Sequence, residues 1–208
     1  MLTQSDMGIV KNMIGGLFGK MGLGVIIVLI TLYMYVQASF VFGEFAEIAK
    51  GIMLTYIVLG ITVLTITGAR LRIFSASPAE FIWFTAGMII TFILVSILPK
   101  SIGTATLASF ELQGIGFGFL WAFVKSFWEE VIFRGALVNI STGIFAPLAI
   151  GSNLLFGAFH FGIMGVTFWG VIILVVLGIA WTFMARRWGL MSAVGSHFGY
   201  NMWALGLI

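Results

Sequence analysis

Cysteine is absent from this sequence, and only 8% of its residues are charged. The lack of cysteine excludes disulfide bonds, thiolate metal sites, a cysteine nucleophile and lipid attachment through a cysteine of the chain. Soluble domains carry about 25% charged residues, so the low charge argues against a soluble protein. The net charge of +3 is too small and too dispersed to indicate a nucleic-acid partner.

Apolar residues replace the missing charge. They make up 61% of the 208 residues, and the mean hydropathy is +1.18. Such values indicate a polytopic integral membrane protein, whose spans must be helices or a closed barrel because lipid offers no partner to backbone groups. We therefore predict an all-α transmembrane helix bundle that forms a single membrane domain over residues 1–208.

The apolar runs divide this domain into about seven predicted spans, with six and eight as the limits. Residues 1–20 precede them and are compatible with an interfacial helix. The predicted spans are residues 21–42, 51–68, 81–98, 117–140, 145–163, 166–184 and 190–207.

Basic residues indicate the orientation of the bundle. They lie before the first predicted span, after the second and after the sixth, which places them all on one side of the membrane. They are Lys11, Lys20, Arg70, Arg72, Arg186 and Arg187. The positive-inside rule then predicts a cytoplasmic N-terminus.

Amphipathic side chains are expected near the membrane surface. Lys125 is interpreted as a helix-end residue whose ammonium group reaches back to the interface. Five tryptophans are interpreted largely as part of an interfacial aromatic belt. They are Trp83, Trp121, Trp128, Trp188 and Trp203.

Two adjacent carboxylates and an arginine interrupt the fourth predicted span. A charged side chain at the centre of a bilayer costs about 2.5–3.5 kcal/mol on insertion scales, so Glu129, Glu130 and Arg134 need partners, water or a function. Glu130 and Arg134 are four residues apart and share a helix face, which predicts an ion pair. Arg134 would then hold the carboxylate of Glu130 in its ionised form.

The only two histidines of the chain also lie in apolar segments. His160 follows Phe156 by four residues, and His197 precedes Asn201 by four residues, so each pair shares a helix face. A carboxylate and an imidazole can together deprotonate a water molecule. A second imidazole and a carboxamide can donate hydrogen bonds to a developing oxyanion.

Three motifs carry a resemblance to a known family. Residues 129–134 read EEVIFR and match EExxxR, residues 156–160 read FGAFH and match FxxxH, and residues 197–201 read HFGYN and match HxxxN. In this order they resemble the CAAX protease and bacteriocin-processing family, also called Abi. The resemblance covers about residues 117–205, and the earlier spans agree only in being hydrophobic.

The resemblance implies an intramembrane glutamate-type endopeptidase, similar to type II CAAX prenyl endopeptidases. Eukaryotic members cleave after a prenylated cysteine, and prokaryotic relatives process small peptides or confer immunity to them. We therefore expect a hydrolase of a prokaryotic cell membrane. Its expected partners are membrane lipid and a peptide or prenylated protein substrate, and no cofactor is expected.

The same resemblance assigns catalytic roles. Glu129 and His160 would activate the water, and Glu130 and Arg134 would support them. The oxyanion hole would be lined by the histidine and the asparagine of the motif at residues 197–201.

Other functions are compatible with the same residues. A zinc peptidase could use His160, His197 and Glu129 as ligands, although the HExxH motif is absent. A non-catalytic immunity or scaffold protein would sequester a peptide without needing a water-activating pair. A transporter is a further alternative, but the sequence has no visible inverted repeat.

Overall fold

Every regular element in the described part of the chain is a helix, which confirms the all-α prediction for that part. The computed structural model describes residues 20–41, 43, 46–67, 78–97, 115–136, 147–164 and 166–205. Apart from Lys20, the predicted interfacial helix over residues 1–20 lies outside the described residues.

Seven helices are described, and each overlaps one predicted apolar segment. They are α1 Lys20–Val41, α2 Ala46–Thr67, α3 Pro78–Ser96, α4 Ile115–Glu130, α5 Pro147–Met164, α6 Phe168–Trp188 and α7 Leu190–Ala204. Of these described helices, α6 has both the length and the apolar composition needed to cross a membrane. The number of membrane spans stays a prediction.

Helix α4 changes its hydrogen-bonding pattern in the middle of the EExxxR motif. It continues beyond Glu130 as a π-helical segment, Val131–Ala136, which contains Arg134. Short π-helical turns inside α-helices occur frequently at functional sites. The apolar pattern of the sequence predicted a helix here but not this change of pitch.

Helices α3 and α7 approach each other closely through their backbones. A Cβ atom added to Gly195 would lie 2.0 Å from the carbonyl oxygen of Phe84, and one added to Gly199 would lie 2.8 Å from that of Met88. Small residues four apart permit such close packing between apolar helices. The motif at residues 197–201 is therefore held against α3 by the glycines around it.

A single residue joins α6 to α7. Gly189 has φ of 92°, in the left-handed region that glycine adopts at little cost. The Oγ of Ser192 donates to its carbonyl oxygen at 2.7 Å, which fixes the first turn of α7. At the other end of α6, Thr167 Oγ1 accepts a hydrogen bond from the backbone N–H of Gly170 at 3.2 Å.

The tryptophans correct one sequence-based expectation. Trp121, Trp128 and Trp203 are buried, so the aromatic-belt interpretation is wrong for these three. Trp128 packs in an apolar cluster of α1, α2, α4 and the start of α7. Its indole N–H donates to Thr31 Oγ1 at 2.9 Å, so its polar edge is satisfied inside the protein instead of at a membrane surface.

The outside of the bundle is strongly apolar. Phe40, Phe81 and Trp169 are 71%, 72% and 69% exposed, respectively. Trp83 and Trp188 stack with ring centroids 5.0 Å apart, and their place in an aromatic belt stays a prediction. Large apolar side chains exposed in such number are typical of a surface that something other than water covers.

Candidate active site

Glu130 and Arg134 form the ion pair that their spacing predicted. Arg134 Nη1 donates to Glu130 Oε1 at 3.0 Å, and both side chains are fully buried. His197 Nδ1 lies 2.9 Å from the same oxygen. Because a carboxylate oxygen can only accept, this contact places the proton on Nδ1 of His197.

Asn153 is a second hydrogen-bond partner of Arg134. Its Oδ1 accepts from Arg134 Nη2 at 3.0 Å, and its Nδ2 donates to the carbonyl oxygen of Ala149 at 2.9 Å and to Thr182 Oγ1 at 3.1 Å. Gly178 leaves the space for this contact. A Cβ atom there would lie 2.6 Å from Arg134 Nη2 and 2.5 Å from Asn153 Oδ1.

Aromatic rings enclose the guanidinium group. Its central carbon lies 4.4 Å from the ring centroid of Phe156 and 5.3 Å from that of Trp181, within range of cation–π attraction. Trp181 also stacks on His197, with centroids 4.1 Å apart and an interplanar angle of 14°. These contacts fix both the position of the Arg134 guanidinium group and the plane of the His197 ring.

Glu129 points to the other side of the cluster. Its Oε1 accepts a hydrogen bond from the hydroxyl of Tyr56 and lies 3.4 Å from Lys125 Nζ. Its Oε2 lies 3.2 Å from His197 Nε2 and 3.7 Å from His160 Nε2. The two carboxylate oxygens therefore face different groups, donors at Oε1 and the two imidazoles at Oε2.

The backbone fixes the orientation of His160. Its Nδ1 lies 2.8 Å from the carbonyl oxygen of Phe156, which can only accept, so Nδ1 carries the proton. Its Nε2 then carries a lone pair, which accepts a hydrogen bond from Lys125 Nζ at 3.3 Å. In the FxxxH motif, Phe156 thus supplies a carbonyl oxygen as well as a ring.

Lys125 is placed differently from what the sequence suggested. The snorkelling interpretation is wrong, since the residue is only 5% exposed and points into the cluster. The physical reason is charge. Lys125 and Arg134 supply two buried positive charges against the two carboxylates, and a buried charge needs a compensating partner.

Asn201 joins α7 to a residue of α4 that lies three positions before the EExxxR motif. Its Nδ2 donates to Ser126 Oγ at 2.8 Å, and this hydroxyl donates in turn to the carbonyl oxygen of Ala122 at 2.7 Å. A carboxamide nitrogen carries two hydrogens, so one further N–H can serve another acceptor.

The spare hydrogen-bonding capacity of the described core lies in this cluster. Among the described residues, the buried side-chain atoms without a hydrogen-bond partner are Glu129 Oε2, Glu130 Oε2, Arg134 Nε and His197 Nε2. Buried polar groups are normally paired. Their concentration here marks the place where an additional polar molecule would find partners.

The same side chains include the imidazole and carboxylate groups that a zinc ion would require as ligands. In the part of the chain that the structure describes, no group of three or more His, Cys, Asp or Glu side chains is arranged to hold a metal ion. The zinc alternative, with His160, His197 and Glu129 as ligands, and the expectation of no cofactor both stay predictions.

Comparison with known families agrees with the motifs. Residues 111–203, somewhat less than half of the chain, match the family described as Type II CAAX prenyl endopeptidase Rce1-like. We call residues 111–203 the Rce1-like segment, because they are similar to that family. The resemblance to the CAAX protease family is thereby confirmed, and the matched family is one of integral membrane proteases.

No curated protein matches the chain, and no solved structure matches it. The matched segment begins in front of α4 and ends within α7. It includes all six residues proposed from the sequence, but helices α1 to α3 lie outside it.

Several residues of the cluster were missed by sequence reasoning. Asn153 had a usable signal, because it precedes Phe156 by three residues and His160 by seven and so shares their helix face. Trp181 and Gly178 are spaced three apart on α6, but that helix has no ionisable residue before its C-terminal end to attract attention. Tyr56 lies in an apolar helix far along the chain from every motif.

Proposed function

We propose that this protein is an intramembrane endopeptidase that hydrolyses a peptide bond in a membrane-associated or prenylated CaaX-type substrate. One observation carries the proposal. The three motifs meet in one buried cluster, where Glu129 Oε2 lies 3.2 Å and 3.7 Å from the Nε2 atoms of His197 and His160. A membrane scaffold or immunity protein has no need for carboxylate and imidazole groups arranged in this way.

Activation of water is assigned to Glu129 and His160. A water molecule held by Glu129 Oε2, and by His160 Nε2 once Lys125 Nζ releases that atom, would lose a proton to the carboxylate, and its oxygen would attack the substrate carbonyl carbon. The proton then passes to the leaving amine as the C–N bond breaks. The products are a new carboxylic acid, which keeps the second proton of the water until it ionises, and a free amine, and Glu129 returns to its starting form.

Stabilisation of the oxyanion is assigned to Asn201 and His197. Asn201 has an N–H beyond the one that it donates to Ser126. His197 directs Nδ1 at Glu130, so it can donate to an oxyanion only through Nε2, with a proton on both nitrogens. Asn201 needs no such change, which makes it the simpler of the two donors.

Support of the site is assigned to Glu130 and Arg134. Glu130 accepts from both Arg134 and His197, so it joins α4 to α7 at the centre of the cluster. Arg134 is held in turn by Asn153 on α5. Preorganised donors of this kind do not have to reorient during the reaction, and this lowers the barrier.

We place the protein in a prokaryotic cell membrane with its N-terminus in the cytoplasm. The apolar exterior and the mean hydropathy of +1.18 favour lipid contact. The basic residues before the first predicted span, after the second and after the sixth favour this orientation. Cysteine-labelling of variants with one introduced cysteine in each loop would test it directly, because the chain has no cysteine of its own.

The activity is tested by a cleavage assay on a prenylated CaaX peptide beside its unprenylated twin. Purified protein in lipid vesicles should cleave the prenylated peptide faster, because the lipid chain concentrates it at the membrane. Equal rates would indicate a membrane-associated peptide protease without a prenyl requirement. Cleavage of neither peptide, nor of a panel of membrane peptides, would favour the non-catalytic alternative.

A further inference from the structure

Tyr56 connects the N-terminal helices to the candidate active site. It lies on α2, outside the Rce1-like segment at residues 111–203, and its side chain is buried. Its hydroxyl donates a hydrogen bond to Glu129 Oε1. No motif of the sequence contains this residue.

The packing of α2 accounts for this contact. Gly60 lies one turn after Tyr56 on the same face, and a Cβ atom at Gly60 would lie 2.1 Å from the ring of Trp128. The absence of a side chain there lets α2 approach α4 beside Trp128. Glu129 is the next residue, and the tyrosine hydroxyl reaches it.

Lys125 acts on the same carboxylate oxygen. Its Nζ lies 3.4 Å from Glu129 Oε1, one helical turn before the glutamate. Oε1 thus receives a hydrogen bond from a phenol and the charge of an ammonium group, whereas Oε2 has no hydrogen-bond partner among the described residues. A carboxylate held at one oxygen cannot rotate without losing both contacts.

We propose that Tyr56 and Lys125 are positioning residues that fix Glu129 through Oε1 and reserve Oε2 for proton transfer. This proposal rests on the proposed peptidase function. It assigns a role in the site to a helix that the family match does not cover. Tyr56 provides the cleaner test, because Lys125 also contacts His160 at 3.3 Å.

The test compares two variants that each remove one hydroxyl contact to α4. Tyr56→Phe removes the donor to Glu129, and Thr31→Val removes the partner of Trp128 at 2.9 Å. Both change the packing of α4 against the N-terminal helices, but only the first touches the carboxylate. The substrate is whichever CaaX peptide the parent protein cleaves.

A positioning role predicts a fall in kcat with little change in KM. Loss of a hydrogen bond to a charged group corresponds to about a tenfold to hundredfold effect, so Tyr56→Phe should lower kcat in this range. Thr31→Val should stay within about twofold of the parent, as expected of a packing change away from the reacting atoms. Lys125→Gln should lower kcat at least as much as Tyr56→Phe.

An infrared measurement tests the contact without using activity. The chain has four tyrosines, so ring-labelled tyrosine gives few phenol C–O stretching bands. The band that disappears in Tyr56→Phe should be the band that shifts in Glu129→Gln. Thr31→Val should leave it in place.

The outcomes separate the two proposals. If the parent cleaves, Glu129→Gln is inactive and Tyr56→Phe matches the parent, the positioning role is wrong and the peptidase function stands. Equal losses in Tyr56→Phe and Thr31→Val would also overturn it, because they would indicate a packing effect. If the parent cleaves nothing, both proposals fail, and the infrared bands show whether the contact itself exists.

Discussion

The N-terminal helices and the Rce1-like segment differ sharply in the polar groups that they bury. Among the described residues, the buried acidic and basic side chains lie only in the Rce1-like segment. They are Lys125, Glu129, Glu130, Arg134, His160 and His197. The described parts of α1, α2 and α3 bury hydroxyl groups instead, one on each helix. These belong to Thr31, Tyr56 and Thr91.

Each of these hydroxyl groups is directed at the other half of the molecule. The three contacts are Thr31 with Trp128, Tyr56 with Glu129, and Thr91 with Ser196. The reactive groups are therefore concentrated in one segment, and the other segment contributes single hydroxyls that hold α4 and α7 in place. The motifs contain all of the buried acidic and basic residues except Lys125, but they give no signal for the hydroxyl groups.

The sharpest test of this difference exchanges one carboxylate in each half. Glu129→Gln keeps the shape of the side chain and removes the base, so turnover should fall by at least about 10²-fold, as is typical of general-base loss. Glu47→Gln makes the same chemical change on α2, where the side chain is 83% exposed, and should leave turnover unchanged. The turnover of both variants is measured from the rate of peptide cleavage.

Near-normal turnover in folded Glu129→Gln protein would remove Glu129 from its proposed role. Glu130 would then be the remaining carboxylate of the cluster. A large loss in Glu47→Gln would contradict the comparison itself, because it would place function in the N-terminal half.

Breaking an ion pair should also affect the two halves differently, and here the effect is on the stability of the protein. Removing one partner of a buried pair leaves an uncompensated charge, which costs about 3–5 kcal/mol in soluble proteins. We therefore expect Glu130→Ala and Arg134→Ala to lower the unfolding temperature in detergent strongly. Lys50→Ala breaks the exposed pair with Glu47, whose atoms are 2.7 Å apart, and should have little effect.

Unfolding is followed by circular dichroism for all three variants in the same detergent. If Glu130→Ala and Arg134→Ala unfold at the same temperature as the parent, the pair is not a structural support. Its contribution to the site would then have to be sought in the reaction alone.

Removal of an oxyanion donor should lower turnover by a factor similar to that expected for Glu129→Gln, or by a smaller one. Loss of one donor typically costs about 2.7–4 kcal/mol of transition-state stabilisation, so Asn201→Ala should lower kcat with KM little changed. Ser126→Ala is the matched control, because it removes the partner of Asn201 and leaves its amide in place. It should have the smaller effect.

The paired variant sharpens this assignment. If Asn201 and His197 act as a unit, the double alanine variant should lose less than the sum of the single losses. A rise in KM as the main result of Asn201→Ala would make this residue a substrate-binding group. The oxyanion role would then pass to His197 or to backbone amides.

Much of the arrangement could be predicted from the sequence because its signals are local. Four-residue spacing predicted the contact of Glu130 with Arg134, and apolar run length predicted the helices. The environment of Lys125 could not be predicted this way, since whether a helical lysine turns to a surface or to a carboxylate depends on neighbouring helices. Tyr56 was missed and Trp128 was assigned to the wrong environment for the same reason, because their hydrogen-bond partners are 73 and 97 residues away along the chain.

Removal of metal should have the smallest effect of all. His160, His197 and Glu129 would be the zinc ligands of the alternative mechanism, and all three residues lie in the Rce1-like segment. However, Lys125 Nζ lies 3.3 Å from His160 Nε2 and 3.4 Å from Glu129 Oε1. An ammonium group at these distances occupies the lone pair of one ligand and would repel a divalent cation beside the other.

We therefore expect turnover to survive exhaustive chelation, and elemental analysis of the purified protein to find no stoichiometric zinc. Lys125→Met removes the repelling charge and provides a control, because a latent zinc site would bind zinc more tightly in this variant than in the parent. Loss of parent activity on chelation, with recovery on adding zinc, would establish the metal mechanism. Lys125 would then have to move away from both ligands when zinc binds, and Glu130 would become the candidate base despite its ion pair with Arg134.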